Sequence, residues 1–109
     1  MTITRAAWLG RYEEMQRISQ NMLDAARKGE WDRLVQLEQS RAGVEKDLRQ
    51  GDQSAWDGKH AARKAELIRS ILDADNETRR LTQAWMAEMQ KSLKSISTGK
   101  KLKQAYEQA

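Results

Sequence analysis

The sole histidine, His60, falls in the one stretch that reads as a loop, residues 51–60 (GDQSAWDGKH). No second imidazole and no cysteine can join it. A Glu-x-x-His bundle metal site and a His-based triad are therefore excluded, as are disulfides and thiolate metal sites. Asp73 and Glu77 stand four apart, and Glu13 adjoins Glu14. On helices these carboxylates read as solvated surface. No Gly-rich phosphate loop or other cofactor motif occurs. The expectation is a protein with no catalytic residue, no metal and no cofactor. The chemistry left to it is non-covalent, carried by apolar faces and by lysines.

The lysines are unevenly placed. Lys91, Lys94, Lys100, Lys101 and Lys103 against Glu107 supply the whole net charge of +4, so residues 1–90 are balanced. A basic tail can serve nucleic acid or an acidic lipid surface. The plainer reading is a solvated face, and cations near a helix C-terminus also complement its dipole.

The elements that must carry these residues are helical. In 109 residues there is no Pro and no Phe, whereas Ala, Gln, Glu, Arg and Lys abound. A third of the chain is charged and mean hydropathy is −0.92, so apolar residues have to be arranged economically on faces. The chain is long enough for one domain with a modest core. The absence of cysteine suits a reducing cytosol. Residues 1–12 are too interrupted by Arg5, Gly10 and Arg11 for a signal peptide, and no apolar run is long enough to span a bilayer. A cytosolic protein is expected.

Hydrophobic spacing predicts a first helix over about residues 6–28, with Trp8, Tyr12, Met15, Ser19, Met22 and Ala26 on its seam and Gly29 as its stop. A second helix is expected over about residues 30–49, with Trp31, Leu34, Leu37, Val44 and Leu48 in line and Val35 beside them. Met22 and Leu34 are expected in the core. Arg41 falls on that second stripe, three residues after Glu38. The two read either as a surface pair or as a partly buried pair that fixes helix register. Gly43, unfavourable in a helix, would admit a close neighbour. In the linker, residues 50–60, Trp56 reads as a ring folded over the open end of the bundle or, less simply, as a partner contact.

The longest uninterrupted stretch, residues 61–97, contains neither Pro nor Gly. Ile68, Ile71, Leu72, Met86, Met89, Leu93 and Ile96 form one stripe, widened by Leu67, Ala74, Leu81 and Trp85. The stripe turns polar at Asp75, Thr78 and Thr82. Residues 97–99 (STG) then predict a break and residues 100–109 a short fourth helix, with Leu102 and Tyr106 on its apolar face.

Short connections should make the first three helices alternate in direction, so the third runs parallel to the first. The first ends near residue 84 of the third. Beyond it lie Trp85, Met86, Met89, Leu93 and Ile96, each worth roughly 1.5–3 kcal/mol if buried. Three covers are available: the fourth helix folding back, a second copy giving a homodimer, or a partner. The expected fold is all-α, an antiparallel three-helix bundle with a long third helix and a short C-terminal fourth helix folding back on it, in one domain, residues 1–109.

These residues resemble the FliT family of flagellar export chaperones. The likeness lies in residues 12–23 (YEEMQRISQNML), in residues 29–32 (GEWD) leading to Leu34, Leu37, Glu38 and Arg41, in Ile68, Ile71, Leu72 and Asp75, and in residues 99–106 (GKKLKQAY). It covers nearly the whole chain, residues 51–58 excepted. The resemblance implies a cytosolic helical chaperone for the filament-cap protein FliD, which prevents premature assembly and delivers that subunit to export ATPase components. Some members also bind the regulator FlhDC. It further implies a binding face of Leu81, Trp85, Met86, Met89, Leu93 and Ile96, gated by a last helix through Gly99, Leu102 and Tyr106. Two alternatives stand beside it: a basic nucleic-acid-associated bundle, and a structural adaptor of the export apparatus.

Overall fold

A computed structural model of the chain describes residues 4–51, 56 and 58–107, and its side chains, Arg5 apart, as far as residue 94. The described residues form three helices and no strand: α1 (Arg5–Lys28), α2 (Trp31–Gly51) and α3 (Gly58–Glu107). They divide into two units, Met1–Arg79 and Arg80–Ala109.

Local chemistry sets the helix ends. The Thr4 hydroxyl accepts a hydrogen bond from the Ala7 N–H at 3.1 Å, which caps α1. At the other end Gly29 takes the left-handed conformation, φ 71°, where a Cβ would be strained. Its N–H donates to the Ala26 carbonyl, and the Glu30 N–H to that of Ala25 at 2.9 Å, so the carbonyls α1 leaves open are satisfied. Arg33 and Lys28 both reach the Asp24 carboxylate at 3.2 Å across this turn. The hydrogen bonds from Arg33 and then Lys28 hold that carboxyl below its ordinary value.

Within the first unit α1 and α2 are antiparallel. Arg11 near the start of α1 faces Asp47 near the end of α2 at 3.8 Å, and Asp24 faces Arg33 at the opposite ends. The first part of α3 runs parallel to α1, as Glu13 meets Arg63 at 4.0 Å and Gln16 donates to the Ser70 hydroxyl at 2.8 Å. Up, down, up is the observed order.

The core contains Met22, Leu23, Ala25 and Ala26 of α1, Val44 and Leu48 of α2, and Leu67, Ile71 and Ala74 of α3. On α3 the buried line 67, 71, 74, 78 joins Ile71 of the expected stripe to Leu67 and Ala74 of its flank and to Thr78 of its polar interruption. Ile68 and Leu72, expected at the centre of the stripe, are exposed. The reason is visible at the helix edges. Ser70 is tied to α1 and Asp75 to α2, so the line between those ties faces inward. Leu34 is half-buried, whereas Met22 is in the core as expected. The Ser19 hydroxyl is buried with no hydrogen-bond partner.

At the end formed by the start of α1 and the close of α2, Trp8 packs with Val44 and Leu48, and Tyr12, Met15, Ile18 and Trp56 surround them. Trp56 is thus the ring folded over the bundle end. It meets Tyr12 edge-on, centroids 6.2 Å apart, and the Lys64 ammonium lies 4.7 Å from its ring centre and 5.2 Å from that of Tyr12. Such cation–π contacts add roughly 0.5–2 kcal/mol. The close approach expected at Gly43 is absent, with nothing within 4 Å of a Cβ built there. It occurs at Gly51, where a Cβ would collide with the Trp8 ring.

Arg41 does not pair with Glu38, which is exposed. Its guanidinium forms two hydrogen bonds of 2.6 Å to the two Asp75 carboxylate oxygens. The side chains are only 15% and 13% exposed. The polar interruptions of the α2 and α3 stripes are therefore one feature, a bidentate cross-link between helices.

The break expected over residues 97–99 is also absent, since α3 is helical through Gly99 to Glu107 and no separate fourth helix is seen among the described residues. One Gly costs a helix only about 1 kcal/mol and Ser and Thr less, unlike Pro.

Two predictions follow from this packing. In urea unfolding, Gly43→Ala should gain about 0.5–1 kcal/mol by helix propensity, whereas Gly51→Ala should lose about 1–3 kcal/mol by overpacking against Trp8. Equal stabilisation by both would remove Trp8 from that position. Arg41→Met and Asp75→Leu should each cost about 3–5 kcal/mol by leaving a charge unpaired, and the double variant much less than their sum. Additive losses would mean that the two side chains do not interact.

Candidate partner-binding face

The candidate residues lie in the second unit, Arg80–Ala109. Its backbone is α-helical to Glu107 because good helix formers such as Leu81, Ala84, Met86, Ala87, Glu88 and Met89 succeed one another with no Pro. Side chains repeat on such a backbone at about 100° per residue. Positions 85, 86, 89 and 93 then fall within an arc of about 100° and rise about 12 Å along the axis.

All four are exposed: Trp85 37%, Met86 51%, Met89 43% and Leu93 60%. Large apolar side chains scattered singly need no explanation, but four on one arc make a contiguous patch, the usual mark of an interaction surface. Leu81 is half-buried. The side chains of Ile96, Leu102 and Tyr106 lie outside the described residues, while the backbone at Gly99 is helical. Of the expected residues, Trp85, Met86, Met89 and Leu93 share this exposed arc.

Charge around the patch is cationic. Lys91 and Lys94 are exposed, and Lys91 contacts Glu88 at 3.5 Å. Methionine has three rotatable bonds and a polarizable sulfur, so Met86 and Met89 can follow the contour of more than one partner side chain. What this arrangement can do is lay an apolar strip against another helix.

The polar candidates are placed elsewhere. His60 is exposed in the first turns of α3. Asp73 and Glu77 border an open groove on the first unit, opposite Arg27 of α1 and beside Arg69. Among the described residues no cluster of His, Asp and Glu is arranged to hold a metal ion, and no helix is long and apolar enough to cross a membrane.

Asp75 is the residue whose role sequence reasoning missed. The signal was present: a cation on one apolar stripe and an anion on another, each unexplained alone. Gly51 and Lys64 gave no comparable signal, since their roles depend on where Trp8 and Trp56 come to rest.

No curated protein and no solved structure matches the chain. One family does, described as flagellar protein FliT, over residues 9–108 and so over both units. Helical architecture and near-complete coverage agree, and the chain belongs to the FliT family of flagellar chaperones.

Proposed function

We propose that this chain is the export chaperone of the filament-cap protein FliD, holding that subunit from premature assembly and delivering it to export ATPase components. The observation that supports the reading is the exposed arc of Trp85, Met86, Met89 and Leu93 in a chain whose family is flagellar. The mechanism is physical sequestration. An export subunit's terminal segment, disordered before assembly, folds as an amphipathic helix and lays its apolar side on this arc. Ordering that segment opposes binding by about 2–5 kcal/mol, so the complex is of moderate affinity and can be released at the export gate.

A gate through Gly99, Leu102 and Tyr106 would require α3 to bend at Gly99, where its backbone is helical.

Each of Trp85→Asp and Met89→Asp should weaken binding of purified FliD by about 30-fold or more, the size of a hot-spot loss of about 2 kcal/mol. Thermal unfolding of the first unit should be unchanged, because neither residue belongs to its core. Titration calorimetry with full-length FliD measures the first effect and circular dichroism the second. Wild-type affinity in both variants would remove this face from the interaction.

A further inference from the structure

We propose that Met86 and Met89 form a reversible oxidation site, at which peroxide converts both thioethers to sulfoxides and switches the face off. The inference rests on the chaperone reading for its consequence and adds a regulation to that same site. It starts from the sulfur inventory. The chain has five methionines and no cysteine, so no thiolate of its own competes for a two-electron oxidant. Met1 lies outside the described residues. Of the others, Met22 is only 4% exposed in the core, and Met15 is packed in the cluster around Trp8. Met86 and Met89 are about half exposed. Access from solvent therefore singles out the two sulfurs of the binding arc.

Position turns that access into a response. Residues three apart on a helix are neighbours, and Met86 and Met89 share the arc with Trp85 and Leu93. A partner helix laid on this arc covers both thioethers with its apolar side. Once oxidised, each carries a strongly accepting oxygen for which that apolar side has no donor. Burying an acceptor without a hydrogen bond is costly. Two sulfoxides thus oppose the association that two thioethers favour. Leucine at the same positions would offer comparable apolar surface and respond to no oxidant.

The step needs one co-reactant in each direction. A sulfur lone pair attacks one oxygen of hydrogen peroxide, and an S–O bond forms as the O–O bond breaks. Sulfur gives up two electrons, and the departing hydroxide takes the proton from the transferred oxygen and leaves as water. In the reverse step two thiols become one disulfide and the oxygen leaves as water. Having no cysteine, the chain takes those thiols from an enzyme of the methionine sulfoxide reductase class.

The test treats the full-length chain with hydrogen peroxide and maps oxygen uptake by peptide mass. Met86 and Met89 should each react about 10-fold faster than Met22 or more, as their exposure dictates. With both oxidised, the chain should stay helical by circular dichroism, yet bind full-length FliD about 10-fold more weakly or worse. It should also bind less of the hydrophobic dye anilinonaphthalene sulfonate. Methionine sulfoxide reductases with dithiothreitol should restore both. Met86→Leu with Met89→Leu, measured against its own untreated affinity and dye binding, should not respond to peroxide, although Met1, Met15 and Met22 remain. Equal reaction of Met22 and Met86 would overturn the site. Unchanged FliD and dye binding by the doubly oxidised chain would overturn the switch. A loss that survives the reductases, or that the double leucine variant shares, would assign the effect to another group such as Trp85 and overturn it as well. A reduced chain that binds no FliD would remove the chaperone reading alone, because the oxygen map and the dye still decide whether these methionines control the face.

Discussion

The Arg41–Asp75 cross-link decides where the helices of the first unit stand. A guanidinium on an apolar seam is costly unless it is paired and hydrogen-bonded, and both Asp75 oxygens meet it at 2.6 Å. Apolar burial alone would leave the choice open. Along α3 apolar residues recur at three- and four-residue spacing from Leu67 to Leu93, so a hairpin of α1 and α2 could bury its seam against several stretches of that helix. In the observed register the acid opposite Arg41 is Asp75. The pair thus contributes less by its attraction than by the penalty it imposes on every other register, the best-attested use of buried ionic groups. Gln16 to Ser70 and Glu13 to Arg63 then fall into place on the α1 side.

That constraint also explains which parts of the fold were legible in the sequence. Helix ends were legible where local chemistry sets them, as at Gly29, whose left-handed φ needs no tertiary context. Direction was legible too, because short connections force adjacent helices to alternate. The rotation of α3 was not. Its apolar arc is wider than two neighbours can cover, so the wheel offered two adjacent lines, and the ties at Ser70 and Asp75 bury 67, 71, 74 and 78 while leaving Ile68 and Leu72 exposed. The pairing of Arg41 could not be read either, because Glu38 lies closer in sequence and Asp75 only in space. Ser97, Thr98 and Gly99 looked like a terminator, yet their summed propensity penalty is small beside a single Pro.

The face at Trp85, Met86, Met89 and Leu93 was legible for a different reason. It is a property of one helix, and helical spacing plus composition suffices to place four side chains on one arc. The identity of a partner, by contrast, is not contained in one chain's periodicity.

Charge separates the two units. The neutral first unit is laced with cross-helix ion pairs and a cation–π contact, and its buried residues fix the fold. The second carries the whole net charge and large apolar side chains left exposed. On the proposed chaperone reading, binding placed on residues that no core depends on lets a partner come and go without cost to folding. It also assigns the entropy of association. A helix already formed through Glu107 has little backbone freedom left to lose, so the ordering cost falls on the incoming segment alone.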